Sequence, residues 1–364
     1  MIAIIAVVIV VAAGVGIGIT VMNNNKDNGL DENVEISIAY LNLGYYPFTV
    51  GFQKGMWDDL GFKVKPVVVS GSGNVAVETL LTGGATIAAT GDGPFATTFG
   101  KYPNDIVGLC QYSQQSGSLA GHAFFVKNEM SDKLDAMEKK DGITTNAQTT
   151  ANQIKALSAA KEGKGPNGMF SISVNNGSTT HVNLMKWCIK YGLTYTTLDT
   201  ETADMYINAI PSATADILMG SLDTYDAVAC NSKLHGTIFA KIGDKVYDYS
   251  DTSCLSEASY SVVCTTAENY EKYAPYMMKI VENIKKINEW IDQNVDEAAQ
   301  IVADLNGTKM EDEKATYLKA EHKVIWSDNL NAWVETAKIN GYTVTLEQFI
   351  RCCPIRDTIN NWYK

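Results

Sequence analysis

The stretch Val67–Phe99, VVVSGSGNVAVETLLTGGATIAATGDGPFATTF, constrains the fold of this chain more tightly than any other. Its β-branched opening runs into Ser70-Gly71-Ser72-Gly73. A short helix follows with Val77, Leu80 and Leu81 on an apolar face, and Gly83-Gly84 breaks it. A second apolar run, 85–90, ends in Gly91-Asp92-Gly93-Pro94. This order predicts a strand, helix, strand unit of a parallel sheet, with a small-residue loop at the carboxyl end of each strand. In open α/β sheets such loops gather exposed backbone N–H groups and helix N-termini, and small ligands bind there. Ser70, Gly71, Ser72, Gly73, Thr90, Gly91 and Asp92 are therefore candidate ligand-binding residues. Asp92 has two readings: it caps the following segment, or it binds a cationic or amino-bearing group.

The rest of the chain supplies enough material for two domains. It has 364 residues, 46% of them hydrophobic, which suits buried cores. A net charge of −12 argues against nucleic acid as a partner and fits a soluble exported domain. The two arginines, Arg351 and Arg356, lie near the C-terminus, so lysines or backbone amides are the expected anion contacts. Met1–Met22 is an apolar run without a charged side chain. About 20 such residues span a bilayer core. The run is read as an N-terminal transmembrane anchor, with a cleavable signal peptide as the competing reading; no Lys or Arg precedes Lys26. Residues 23–34 read as a polar linker.

Further along, Glu35–Leu43 reads as the first strand and delivers Gly44-Tyr45-Tyr46 at its carboxyl end. The strand FSISV, from Phe170, leads through Asn175-Asn176-Gly177 to a helix opened by Ser178-Thr179-Thr180, with Val182, Leu184, Met185 and Ile189 apolar. Ser178 is either a plain N-cap or a ligand contact, because the N–H groups it would cap also attract negative charge. Glu257–Thr266 reads as a returning strand, and the chain beyond Ala267 reads as helical, with Tyr276, Met277, Ile280, Ile284, Ile287 and Trp290 on one face.

Several of these segments carry a resemblance. Gly44-Tyr45-Tyr46-Pro47-Phe48, Gln53–Trp57 with Leu60-Gly61, the stretch 67–99, Gly177-Ser178-Thr179-Thr180-His181, and Met219-Gly220 with Asp226-Ala227 resemble the extracytoplasmic solute-binding proteins of ABC importers. The group most resembled is the nitrate, sulfonate, taurine and thiamine-pyrimidine-precursor type. The resemblance implies a periplasmic-binding-protein type II fold of two α/β lobes joined by a two-strand hinge, preceded by the anchor. Lobe I would hold 35–126 and 255–364, and lobe II 127–254. It adds Tyr45, Tyr46, Ser178, Thr179, Thr180 and Asp226 to the ligand-binding set. It implies a monomer on the outer side of the cell membrane, capturing a small-molecule ligand, an anion or zwitterion, for an ABC permease and its ATPase. Two departures stand out: Ala85-Thr86-Ile87 replaces an acidic element, and Cys230-Asn231-Ser232 stands where an aromatic wall is usual.

Two alternatives accompany this reading. The tyrosines suit a stacked pyrimidine ring, and the same fold hosts pyrimidine-synthase-like enzymes. No nucleophile, base and orienting group stand together as a signature, so no catalytic residue and no cofactor is assigned. Seven cysteines and four histidines show no zinc spacing, and no metal is expected. Cys254 and Cys264 could pair; buried free thiols are the simpler expectation.

Overall fold

In this computed structural model the structure is described for residues 30–41, 46–115, 122–141, 147–211, 214–231, 246–248, 259–318 and 320–364, with the single positions 234, 238, 241 and 242. Met1–Met22, most of the 23–34 linker, Tyr45 and Cys254 lie outside the described residues. No helix among the described residues is long and apolar enough to cross a membrane.

The first lobe opens with β1 (Glu35–Tyr40), α1 (Tyr46–Gln53), β2 (Lys63–Val68), α2 (Gly73–Leu81), β3 (Ile87–Gly91), α3 (Asp92–Lys101) and β4 (Ile106–Gln115). The strand, helix, strand unit is β2–α2–β3, with β1 inserted between the two strands and all three parallel. Ile87, Ala88 and Ala89 are buried, as expected for a central strand covered on both faces. Val77 and Leu80 turn inward, whereas Leu81, at the last position of α2, is exposed. β2 forms the sheet edge, where Pro66 is tolerated and lysines discourage further pairing.

The second lobe contains β5 (His122–Lys127), α4 (Asn128–Asp141), α5 (Ala147–Ala159), β6 (Phe170–Asn175), α6 (Thr179–Lys190), β7 (Tyr195–Thr196), β8 (Met205–Ile210), α7 (Ala215–Ser221), β9 (Ala227–Asn231) and β10 (Val246–Asp248). Its sheet has the order β10-β5-β9-β6-β8-β7. The expected bounds assign 35–126 to lobe I, yet β5 pairs with β9 and β10 of this second sheet. The physical reason is its two-sided apolar pattern. Phe124 and Val126 enter one core of the lobe and Phe125 the other. β4 thus ends in the first sheet at Gln115 and β5 begins in the second at His122, and β10 ends in the second at Asp248 and β11 begins in the first at Ser259.

After the return come β11 (Ser259–Thr266), α8 (Ala267–Gln293), α9 (Val295–Asn306), α10 (Met310–Tyr317), β12 (Ala320–Glu321), α11 (Asn331–Ile339), α12 (Leu346–Arg351) and α13 (Arg356–Asn360). β11 inserts antiparallel between β3 and β4, completing the order β12-β4-β11-β3-β1-β2. Both sheets thus repeat one plan: parallel strands flanked by an antiparallel strand that has just arrived from the other lobe. Met277, Ile280, Ile284 and Ile287 bury the inner face of α8 against the first core. α11 packs on α3 of the first lobe and on α6 of the second, and Ile339 lies against the second core. α6 itself differs from expectation: Ile189 is exposed, while Asn183 and Lys186 are buried. Thr179, Asn183 and Lys186 recur at helical spacing and form the face turned to the first lobe.

Candidate functional site

The loops at the carboxyl ends of the parallel strands of both sheets meet. From the first lobe come the β2–α2 loop and the β3–α3 junction; from the second comes the β6–α6 turn. Thr179, the first residue of α6, donates from Oγ1 to Asp92 Oδ1 at 3.0 Å and accepts from the Gly93 N–H at 3.1 Å. Asn175 Nδ2 donates to the Gly71 carbonyl and Asn74 Nδ2 to the Asn176 carbonyl, both at 3.2 Å. The fit depends on glycine. A Cβ on Gly91 would lie 2.6 Å from Thr179 Oγ1, and one on Gly93 would lie 2.7 Å from Thr179 Cα. Gly177 has φ +64°, and a Cβ there would overlap Asn74 Nδ2.

Asp92 is the centre of this contact. Its Oδ1 accepts from the Gly93 N–H at 2.8 Å as well as from Thr179, and its Oδ2 accepts from the Tyr260 N–H at 3.1 Å. Burial pushes its pKa up. The nearby Lys186 charge opposes this first, followed by the bonds from Tyr260, Thr179 and Gly93. Lys186 is buried and donates from Nζ to the Ala332 carbonyl of α11 at 2.9 Å. Beside the β6–α6 turn, His181 Nδ1 accepts from the Gly177 N–H at 3.0 Å, while its Nε2 is buried without a partner. The ring is 6% exposed, and burial lowers its pKa to about 4, so the neutral form prevails.

No family model matches the chain, and no curated protein matches its sequence. Its structure is similar to that of the periplasmic aliphatic sulphonate binding protein of Escherichia coli, at a TM-score of 0.60 and 13% identity over 86% of this chain and 91% of that one. A Candida albicans gene product described as having the generic periplasmic binding protein fold aligns at a TM-score of 0.62 and 14% identity, over 88% and 94% of the two chains. The periplasmic nitrate-binding protein of Synechocystis aligns at 0.59 and 11%, over 88% of each chain. The fold is that of the periplasmic binding proteins.

Within the periplasmic-binding-protein fold, the expected residues separate into three groups. Gly71, Gly73, Thr90, Gly91, Asp92 and Thr179 sit at or directly behind the lobe-to-lobe contact, with Thr90 Oγ1 donating to the Gly73 carbonyl at 2.9 Å. Ser70 is exposed on the same loop, Ser72 is the backbone N-cap of α2, and Thr180 is buried. Ser178 is an N-cap: its Oγ accepts from the His181 N–H at 3.1 Å and donates to the Asn175 carbonyl at 2.8 Å.

Two expected residues stand elsewhere. Tyr46 is 5% exposed and turns its hydroxyl to Glu313 of α10, with Oε2 at 2.5 Å and the carbonyl at 3.1 Å. It is an internal tie of the first lobe, which removes one of the two tyrosines proposed to stack on a ring. Asp226 precedes β9 and so lies at the amino end of that strand, opposite the cleft. Its Oδ2 accepts from the Lys164 N–H and the Ser171 N–H, both at 2.8 Å, and from Ser171 Oγ at 2.9 Å. Asn74, Asn175, Lys186 and Tyr260 were not foreseen as members of the contact. Lys186 had a usable signal, since a lysine placed seven residues after Thr179 shares its helix face.

Proposed function

We propose that this protein captures a small solute between its two lobes outside the cytoplasmic membrane and delivers it to the permease and ATPase of an ABC importer. The observation that carries this reading is the Asp92–Thr179 contact, where loops at the carboxyl strand ends of both lobes close on each other. Two crossings join the lobes, so a hinge motion can separate and rejoin these loops. A solute that touches both sides shifts the population toward the closed form by its differential affinity for that form. The similar proteins named above are a sulphonate binder and a nitrate binder, which favours a small anion or zwitterion as the solute. The apolar run Met1–Met22 serves as a single-pass anchor or export leader. The protein acts as a monomeric binding protein and not as an enzyme.

The test is a solute screen with two readouts on the full chain, melting temperature and the distance between labels on Lys63 of the first lobe and Leu198 of the second. Alkanesulfonates, aminosulfonates, nitrate, bicarbonate and thiamine pyrimidines form the panel. The expected result is a solute that raises the melting temperature and shortens the distance together. Turnover of a panel member to product would replace the binding reading with a catalytic one.

A further inference from the structure

We infer that a cavity on the far side of the second lobe is a separate binding site, for a small molecule with an apolar body and one carboxylate. The cavity lies beyond the end of β5, where the chain turns into α4 and passes the last turn of α7. Val126 pairs with Ala227, so Lys127 stands at the amino end of β9, the end turned away from the cleft. The space measures about 610 Å³, within the range of roughly 300–1,000 Å³ that small-molecule pockets occupy. A ligand there and a solute between the lobes would not exclude each other, so this site stands independently of solute capture.

One wall of the cavity is apolar. Leu222 is 1% exposed and belongs, with Met219 and Ile242, to the smaller core of this lobe, formed around Phe125 and Val228. These three side chains give a ligand of one or two rings a surface on which to leave water. The backbone beside them is already engaged. The Met219 carbonyl accepts from the Leu222 N–H and the Gly220 carbonyl from the Asp223 N–H, both at 3.2 Å. The end of α7 therefore offers little to a ligand that brings N–H groups.

The other wall supplies positive charge. Lys127 and Lys241 line the space, each spending one N–H on an aspartate, Asp223 at 3.0 Å and Asp216 at 2.9 Å. An ammonium has three donors, so two remain on each lysine among the described residues. The acidic partners stand further out: the Asp223 and Asp216 side chains are 84% and 78% exposed, against 24% for Lys127. Glu129 is also at the rim, 73% exposed, and pairs with Lys164 at 3.8 Å. Exposed ion pairs contribute little, so a carboxylate held beside the half-buried Lys127 competes with Asp223 on favourable terms. The first turn of α4, a helix of 14 residues, borders the cavity and adds the partial positive charge of a helix N-terminus. A second negative charge on the ligand would be repelled by Asp223 and Glu129, which limits the match to one carboxylate.

Calorimetric titration of the full chain with naphthalene-2-carboxylate and with the neutral naphthalene-2-carboxamide tests this. The wild type should bind the carboxylate at least tenfold more tightly than the amide, and Lys127→Gln should bring the two within about threefold. Gly220 offers a way to fill the cavity: it lines the space, and a Cβ there would meet no described atom within 4 Å. Leucine is also the better helix former. Gly220→Leu should therefore keep the melting temperature and weaken carboxylate binding at least tenfold. Amide binding as tight as that of the carboxylate overturns the inference, as does carboxylate binding that survives in a folded Gly220→Leu, or a wild type that binds neither probe. Should Gly220→Leu melt lower, the wild-type ratio and Lys127→Gln decide alone. Nitrate and ethanesulfonate should leave carboxylate binding unchanged; competition by either would place the probe in the cleft and overturn the separate site. The solute-capture reading fails on a different result, a lobe-to-lobe distance that no member of its panel changes.

Discussion

The Thr179 hydroxyl donates to the Asp92 carboxylate at 3.0 Å across a sequence separation of 87 residues, and in doing so joins the first turn of α6 to the first turn of α3. A hydrogen bond to a charged group contributes about 1.5–3 kcal/mol. Replacing Thr179 with Val keeps the volume and deletes the donor. The expected outcome is a larger ligand-free radius of gyration by X-ray scattering, with little change in the melting temperature of either lobe. An unchanged radius would show that this bond does not hold the lobes shut.

Glycine substitutions separate side-chain interference from backbone interference. Gly91→Ala places a methyl against Thr179 Oγ1, whereas Gly93→Ala places one against Thr179 Cα at 2.7 Å. Both should hold the lobes apart. In a Thr179→Ala background, which already lacks the hydroxyl, Gly91→Ala should open the lobes no further, because the interfering atom has gone, whereas Gly93→Ala should open them further, because Thr179 Cα remains. Scattering profiles of the double variants against Thr179→Ala alone check this.

Tyr46→Phe should lower stability by about 1.5–3 kcal/mol, because it removes the hydroxyl donor on Oε2 of the buried Glu313 carboxylate while Thr308 stays on Oε1. Solute affinity should stay within about twofold, since the hydroxyl is spent inside the first lobe. Urea unfolding together with titration separates the two effects. A large loss of affinity with intact stability would return Tyr46 to the binding set.

His181 predicts an acid limb. Burial lowers its folded pKa to about 4, against 6.5 for a free side chain, so the unfolded chain binds the proton more readily in between. The stability contributed is fully present above pH 6.5 and is lost as pH falls toward about 4; the shift corresponds to roughly 3 kcal/mol. Asp92 acts in the opposite sense, since its raised pKa makes the folded state the better proton binder at acidic pH. The difference between wild type and His181→Gln in urea unfolding, measured from pH 7 to pH 4, isolates the histidine. Parallel curves would refute the assignment.

Local pattern made the β2–α2–β3 unit and the Gly91-Asp92-Gly93 junction readable, because periodicity, β-branching and glycine breaks are properties of consecutive residues. The helical tail after Ala267 was readable for the same reason, down to the inward face of α8. The errors arose where a residue's role depends on distant parts of the chain. Asp226 matched a motif, yet Asp226-Ala227-Val228 opens a strand, and the amino end of a parallel strand faces away from the ligand side. Tyr46 stood beside the expected turn, but its partner Glu313 comes from a helix 267 residues later. Asn74 and Asn175 became visible only when the two lobes were brought together.

Helix α11 gives the molecule an attachment that the two chain crossings do not. It lies more broadly against α3 than against α6, so when the lobes part it stays with the first lobe. The bond that must then yield is the one from Lys186 Nζ to the Ala332 carbonyl. Parting therefore uncovers an ammonium that is buried while the halves are together. Under the proposed parting, the Asp92 carboxylate is uncovered together with this ammonium, so two opposite charges concealed in the shut molecule line its mouth when it is agape.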